Sequence, residues 1–182
     1  QADIATWAPS QPVDVLFSNA ALHWLPEHRT LFPRLLSCLA PGSVLAVQMP
    51  AMHAAPLRAL QDEVAADGPW AERLSDVRSA PPILEASGYY DLLAPRVAAL
   101  DLWFTEYVHM LRGPDPVVQW AMGSSLRPYL DALADAPALR EGFLAAYAAA
   151  MREAYPPRAD GVVLLPFRRL FILALARPAG GD

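Results

Sequence analysis

The chain of 182 residues contains no lysine: all 14 of its basic residues are arginine. Without an amine side chain it cannot form a Schiff base or use the lysine of a phosphate-binding loop. Its single cysteine, Cys38, excludes an internal disulfide and a cysteine-built zinc cluster. That usage fits a reducing, cytoplasmic compartment. There is no excess of positive charge either. The net charge is −5, so a nucleic-acid partner, which demands a basic face, is not expected. No apolar run reaches the length that crosses a bilayer, so no membrane partner is expected. Gln1-Ala2-Asp3 lacks the basic start and apolar stretch of a secretory leader. No glycine precedes Gly42, so the first quarter of the chain holds no glycine-rich ligand loop.

What is present suits an α/β domain. Hydrophobic residues make up 54% of the chain, enough for one sizeable core. Val13–Ser18 is short, β-rich and bounded by Pro12 and Asn19, which predicts a fully buried strand. Pro26-Glu27 predicts a helix start, with proline tolerated in the first turn and the carboxylate suiting the helix dipole. Leu31, Leu35, Leu36 and Leu39 then fall on one face, and Pro41-Gly42 marks the stop. Val44–Gln48 predicts a second buried strand. About 25 residues separate the two strands, the spacing of a parallel crossover.

Pro56–Ala66 predicts another helix, interrupted by Gly68-Pro69-Trp70. Residues 81–95 predict a short helix and loop. Leu100–Met110 alternates, with Trp103, Thr105, Tyr107 and His109 on one face of a strand. Residues 112–160 carry helix signals from Pro116, from Arg127 and over Ala138–Tyr155, so they predict a helical insertion. Arg169–Ala176 predicts a last, nearly continuous apolar strand.

In open α/β sheets ligands sit beyond the carboxyl ends of parallel strands. Ser18-Asn19-Ala20 is one such end and Gln48-Met49-Pro50 its neighbour. This places Asn19, His23 and Trp24 by a cleft, unless Trp24 only packs and His23 only caps. Asp3 could end an earlier strand, where a carboxylate accepts hydrogen bonds from a ribose or an amine.

The segments AD-I at 2–4, DVLFSNAALHWLPEH at 14–28 and PGSVLAVQMP at 41–50 resemble class I S-adenosylmethionine-dependent methyltransferases. With ADGPW at 66–70, WFTEYVHML at 103–111, SLRPYLDAL at 125–133 and AYPPRADGVVLLPFRRLFILALA at 154–176, the resemblance narrows to the branch that methylates trans-aconitate. It implies a Rossmann-like mixed seven-stranded sheet whose N-terminal part, with its glycine-rich turn, is missing from this chain. It also implies one methyltransferase domain over 1–182, with the 112–160 insertion acting as a lid between the last two strands.

The resemblance implies S-adenosylmethionine as cofactor. Asp3 would contact the adenine amine and the Ile4 N–H an adenine nitrogen, with Trp7 a candidate cover. Asn19 and Ala20 would face the methionine end. His23 and Trp24 would face the transferred methyl group and the acceptor. The acceptor would be a small polycarboxylate. Anions are best held by the planar fork of arginine, so Arg127 is the leading candidate, with Tyr129 and Tyr155 as hydroxyl donors. Arg168 is a further candidate; being consecutive, Arg168 and Arg169 point to opposite faces of a strand. Trp24, Trp103, Tyr107 and His109 could line the site. No catalytic residue and no metal is expected, because a carboxylate is already anionic at neutral pH. Another small acceptor, or a truncated non-catalytic domain, stays open as an alternative; the chain is expected to be a monomer or a homodimer.

Overall fold

The computed structural model describes residues 2–77 and 80–180. Four strands form one sheet in the order β1-β2-β4-β3: β1 (Val13–Asn19), β2 (Leu39–Pro50), β3 (Val97–Leu111) and β4 (Val163–Ala176). The helices are α1 (His28–Leu36), α2 (Pro56–Ala66), α3 (Ala71–Leu74), α4 (Ala86–Leu93), α5 (Pro116–Met122), α6 (Arg127–Ala132) and α7 (Pro137–Ala154). β1 and β2 are parallel and β2 and β4 antiparallel. The strand–helix–strand crossover expected from the sequence is therefore present.

The chain divides into two compact units. The first comprises Gln1–Ala51, Pro81–Thr105 and Arg168–Asp182; the second comprises Met52–Ala80 and Glu106–Phe167. The insertion at 112–160 falls wholly in the second, which also takes up 52–80. Each has its own core.

In the first unit, Leu31, Phe32 and Leu35 of α1 and Tyr89 and Leu93 of α4 pack with Leu16, Leu45, Val47, Met49, Leu170, Ile172 and Ala174 of the sheet. Period-2 alternation puts those sheet residues on one side. On β1 the opposite side is apolar too, but open. Val15 is 62% exposed and Phe17 72%. The expectation of a fully buried first strand is thus corrected. Its helices cover one sheet face only, and β1 stands at the edge of the strand order. Leaving Val15 and Phe17 in water forgoes about 1.5–3 kcal/mol each.

Boundaries also differ from the pattern, and β4 begins at Val163, six residues before the expected start at Arg169. Pro41-Gly42 does not end α1; it lies inside β2. Val13 pairs Leu39, but Val15 pairs Val44, so β2 bulges between them. Gly42, at φ 76°, supplies the left-handed residue, and its N–H donates to the Arg177 carbonyl at 3.1 Å. Helix α1 starts two residues later than Pro26 because Glu27 adopts φ 60° and cannot be helical.

In the second unit, α2 and α7 pack through Leu57, Ala65, Phe143, Tyr147 and Met151, joined by Trp70, Tyr129, Leu165 and Phe167. No helix among the described residues is long and apolar enough to cross a membrane.

Candidate active site

The end of β1 is locally strained. Ala20 follows Asn19 with φ 49°, a left-handed conformation that costs a non-glycine residue about 1–2 kcal/mol. Its N–H donates to the Gln48 carbonyl on β2 at 2.9 Å. The chain thus turns sharply off the strand end and enters a 3₁₀ turn, Leu22–Trp24.

A buried polar relay fixes that turn. Leu22 is fully buried, and its carbonyl accepts from His28 Nε2 at 2.9 Å. A carbonyl only accepts, so Nε2 carries the proton and Nδ1 is the acceptor. The Tyr89 hydroxyl therefore donates to His28 Nδ1, at 2.5 Å. Burial pushes the Tyr89 hydroxyl well above its usual range, which keeps it a donor. Phe32 packs against both rings. On the anchored turn, His23 and Trp24 lie with ring centroids 4.8 Å apart, and Trp24 is 50% exposed. Sequence reasoning did not single out His28 or Tyr89. The signal was there: His28, Leu31, Phe32 and Leu35 form an i, i+3, i+4, i+7 stripe, which puts the imidazole on the buried face.

The segment carrying Asp3 and Ile4 is held by Arg34 of α1. Its guanidinium donates to the carbonyls of Ile4, at 2.8 Å, and Trp7. Asp3 is exposed; its Oδ1 accepts the Ala5 N–H at 2.9 Å, and its carbonyl accepts the Trp7 N–H. Asp3, Ile4, Asn19, Ala20, His23 and Trp24 all belong to the first unit.

Arg168 also belongs to this unit, with its guanidinium carbon 3.7 Å from the Phe104 ring centroid. Arg169 turns instead to Gln48, donating from Nη1 to Oε1 at 2.7 Å. Trp103 stacks on Phe171 at 5.0 Å.

The remaining candidates lie in the second unit. The Arg127 side chain is 77% exposed, 3.8 Å from Asp131 at the i+4 position of α6. Tyr129 is buried; its hydroxyl donates to Asp62 at 2.7 Å, and its ring stacks on Phe143. Leu57 is bracketed by two phenols. Its carbonyl accepts from Tyr147 at 3.0 Å, and its N–H donates to the Tyr155 oxygen at 3.1 Å. Tyr155 therefore keeps its own proton to give, and burial raises its pKa. It lines a pocket of about 200 Å³ with Asp115, Val117, Met151, Arg152 and Val163. His109 packs between Trp120 and Phe167. Among the described residues no group of three or more His, Cys, Asp or Glu could hold a metal ion.

No family model matches the chain. It is 48% identical over 175 residues to a protein of Azoarcus sp. (strain BH72) called trans-aconitate 2-methyltransferase, covering 96% of this chain and 68% of that one. It is 49% identical over 176 residues to one of the same name from Methylobacterium radiotolerans, covering 95% and 67%. Among solved structures, a protein described as a methyltransferase from Bacillus halodurans C-125 matches with a TM-score of 0.50 at 10% identity, over 98% of this chain and 71% of that one. That match concerns the fold, and it agrees with the Rossmann-like sheet. Identity near one half along almost the whole chain settles the rest: the chain belongs to the trans-aconitate 2-methyltransferase family.

Proposed function

We propose that the chain takes part in S-adenosylmethionine-dependent methylation of a carboxylate of trans-aconitate or a closely similar acid. The observation that carries this is the 48% identity to the Azoarcus protein of that name, spread over 96% of the chain. Such identity includes the helical insertion as well as the sheet, and the insertion is the part expected to bear the acceptor site.

The residues present fit one end of the cofactor. A strained strand end at Ala20, an exposed indole at Trp24 and an exposed carboxylate at Asp3 supply backbone, stacking and amine-accepting groups. Nearby, Gln48 Nε2 is buried without a hydrogen-bond partner among the described residues, a donor suited to an oxyanion. There is no glycine turn here for the other end. Bound there, S-adenosylmethionine supplies a sulfonium methyl group that passes to an acid oxygen, giving a methyl ester and S-adenosylhomocysteine with no proton transferred.

The work left to the chain is alignment and removal of water. Asp3 and Ile4 hold the adenine; Asn19 and Ala20 present backbone to the methionine end. His23 and Trp24 crowd water away from the methyl group. Arg127, Tyr129, Tyr155 and Arg168 are proposed to orient the acid, and the 112–160 insertion to gate its entry. The acidic balance supports a small acceptor rather than a nucleic acid, and the lone Cys38 supports a cytoplasmic setting. The chain is proposed to act as a monomer or homodimer. The test is transfer of a labelled methyl group to a panel of di- and tricarboxylic acids. Label in a trans-aconitate ester supports the reading; transfer to none of the acids overturns it.

A further inference from the structure

Gln48 occupies an unusual position. It lies on β2 between Val47 and Met49, opposite Asn19 on one side and Phe171 on the other. Its side of the strand otherwise carries Val44, Ala46 and Pro50. It is only 5% exposed. A glutamine so buried must find partners for both halves of its amide. One half does. Arg169 can only donate, so its 2.7 Å contact fixes Oε1 toward the guanidinium. That orientation leaves Nε2 as the other half, and it is buried with no partner among the described residues.

Two features of this pair favour an anion. Gln48 meets the Arg169 guanidinium with a neutral amide, which does not itself oppose the positive charge as a carboxylate would. The orphaned Nε2 is a second donor beside the first. Both stand at the strand end, where Asn19 is the register partner of Gln48 and Ala20 donates to the Gln48 carbonyl.

We propose that Arg169 and Gln48 form a carboxylate-holding site at the ends of β1 and β2, with Arg169 as the cation and Gln48 as the residue that positions it. This rests on the methyltransferase reading for its ligands. The carboxylate belongs either to the acceptor acid or to the amino-acid tail of the cofactor, and one experiment separates them.

Isothermal titration of the full chain with trans-aconitate and with S-adenosylhomocysteine is done on the wild type, Arg169→Gln and Arg169→Lys. Losing a charge-assisted pair weakens binding by roughly tenfold to a hundredfold. Weakened trans-aconitate binding assigns the site to the acceptor; weakened S-adenosylhomocysteine binding assigns it to the cofactor tail. In either case Arg169→Lys restores part of the loss, which a merely structural role would not require. If both affinities stay within about twofold in a folded Arg169→Gln variant, or the wild type binds neither ligand, the site is overturned. A wild type that binds both yet transfers no methyl group sinks the methyltransferase reading while the site is still judged by binding. Should Arg169→Gln fail to fold, Gln48→Glu keeps the side-chain size and sets a carboxylate against Arg169. It is expected to cause the same loss, and an unchanged affinity overturns the site.

Discussion

The relay Tyr89–His28–Leu22 predicts that Tyr89→Phe is costly although it removes one oxygen atom. Tyr89 is fully buried and His28 is 6% exposed, so water cannot replace the lost donor. The substitution deletes the 2.5 Å bond and leaves His28 Nδ1 as a buried acceptor with nothing to accept. Stranding a buried polar group costs about 1–3 kcal/mol, and about 2 kcal/mol is the central expectation. For a chain of 150–250 residues each kcal/mol lowers Tm by roughly 2–4 °C, so the expected fall is about 4–8 °C. The assay is thermal unfolding followed by circular dichroism, with a double-mutant cycle. His28→Leu alone strands the Tyr89 hydroxyl, while the Leu22 carbonyl keeps the Leu25 N–H at 2.9 Å. Combined with Tyr89→Phe it strands neither partner of the deleted bond, so the double variant must cost less than the sum of the singles. A Tyr89→Phe variant that unfolds within about 1 °C of the wild type refutes the relay, and so does strict additivity.

Three further outcomes are expected. Burial raises the Tyr89 and Tyr147 hydroxyls above their ordinary value of 10.0, so below pH 10 both stay protonated, folded or unfolded, and add no pH dependence. Above pH 10 the unfolded chain gives up these protons while the folded chain keeps them, so stability falls by up to ~1.4 kcal/mol per pH unit per tyrosine. With no lysine to titrate in that range, urea unfolding at pH 9.5 and pH 11 reads the buried tyrosines together, and Tyr89→Phe must flatten the slope. Gly68→Ala is expected to cost about 2–3 kcal/mol in denaturant unfolding, because φ is 144° and the new Cβ would stand 2.6 Å from the Trp70 ring, itself held by its 2.7 Å bond to the Val64 carbonyl; a neutral result refutes the packing. Trp24→Ala should leave stability within about 0.5 kcal/mol, since half the residue is exposed, yet lower methyl transfer by at least about tenfold; unchanged transfer removes Trp24 from the site.

The elements with strong local punctuation were legible in the sequence. Pro56 starts α2 and Pro116 starts α5, each at the first helical residue, and the Ala138–Tyr155 periodicity matches α7 to within a residue at each end. The parallel pairing followed from spacing alone. Two features were hidden because they depend on tertiary context. Pro41-Gly42 carries the same local signal whether it stops a helix or makes a bulge; only the pairing of Leu39 with Val13 decides. The run Val-Leu-Phe before Ser18 likewise reads the same whether one face is covered or two. Residue types fix that a strand forms, but the helices packed on it fix how many faces are buried.

The two arginines midway along β4 show the same limit in the site itself. Consecutive strand residues must point to opposite faces, so the sequence required Arg168 and Arg169 to differ. It could not say which faces which way, because Leu170–Ala176 is apolar at every position and carries no phase. The structure supplies the phase through partners: Leu170, Ile172 and Ala174 enter the core, which sets Arg169 and Phe171 on the other side, the side Gln48 occupies. A single polar residue in the neighbouring strand therefore discriminates where the strand's own sequence does not. Gln48 was visible all along as the only amide among the apolar residues of VLAVQMP. A buried glutamine on a strand end needs a partner, and Arg169, the register partner of Pro50 two residues along β2, supplies one.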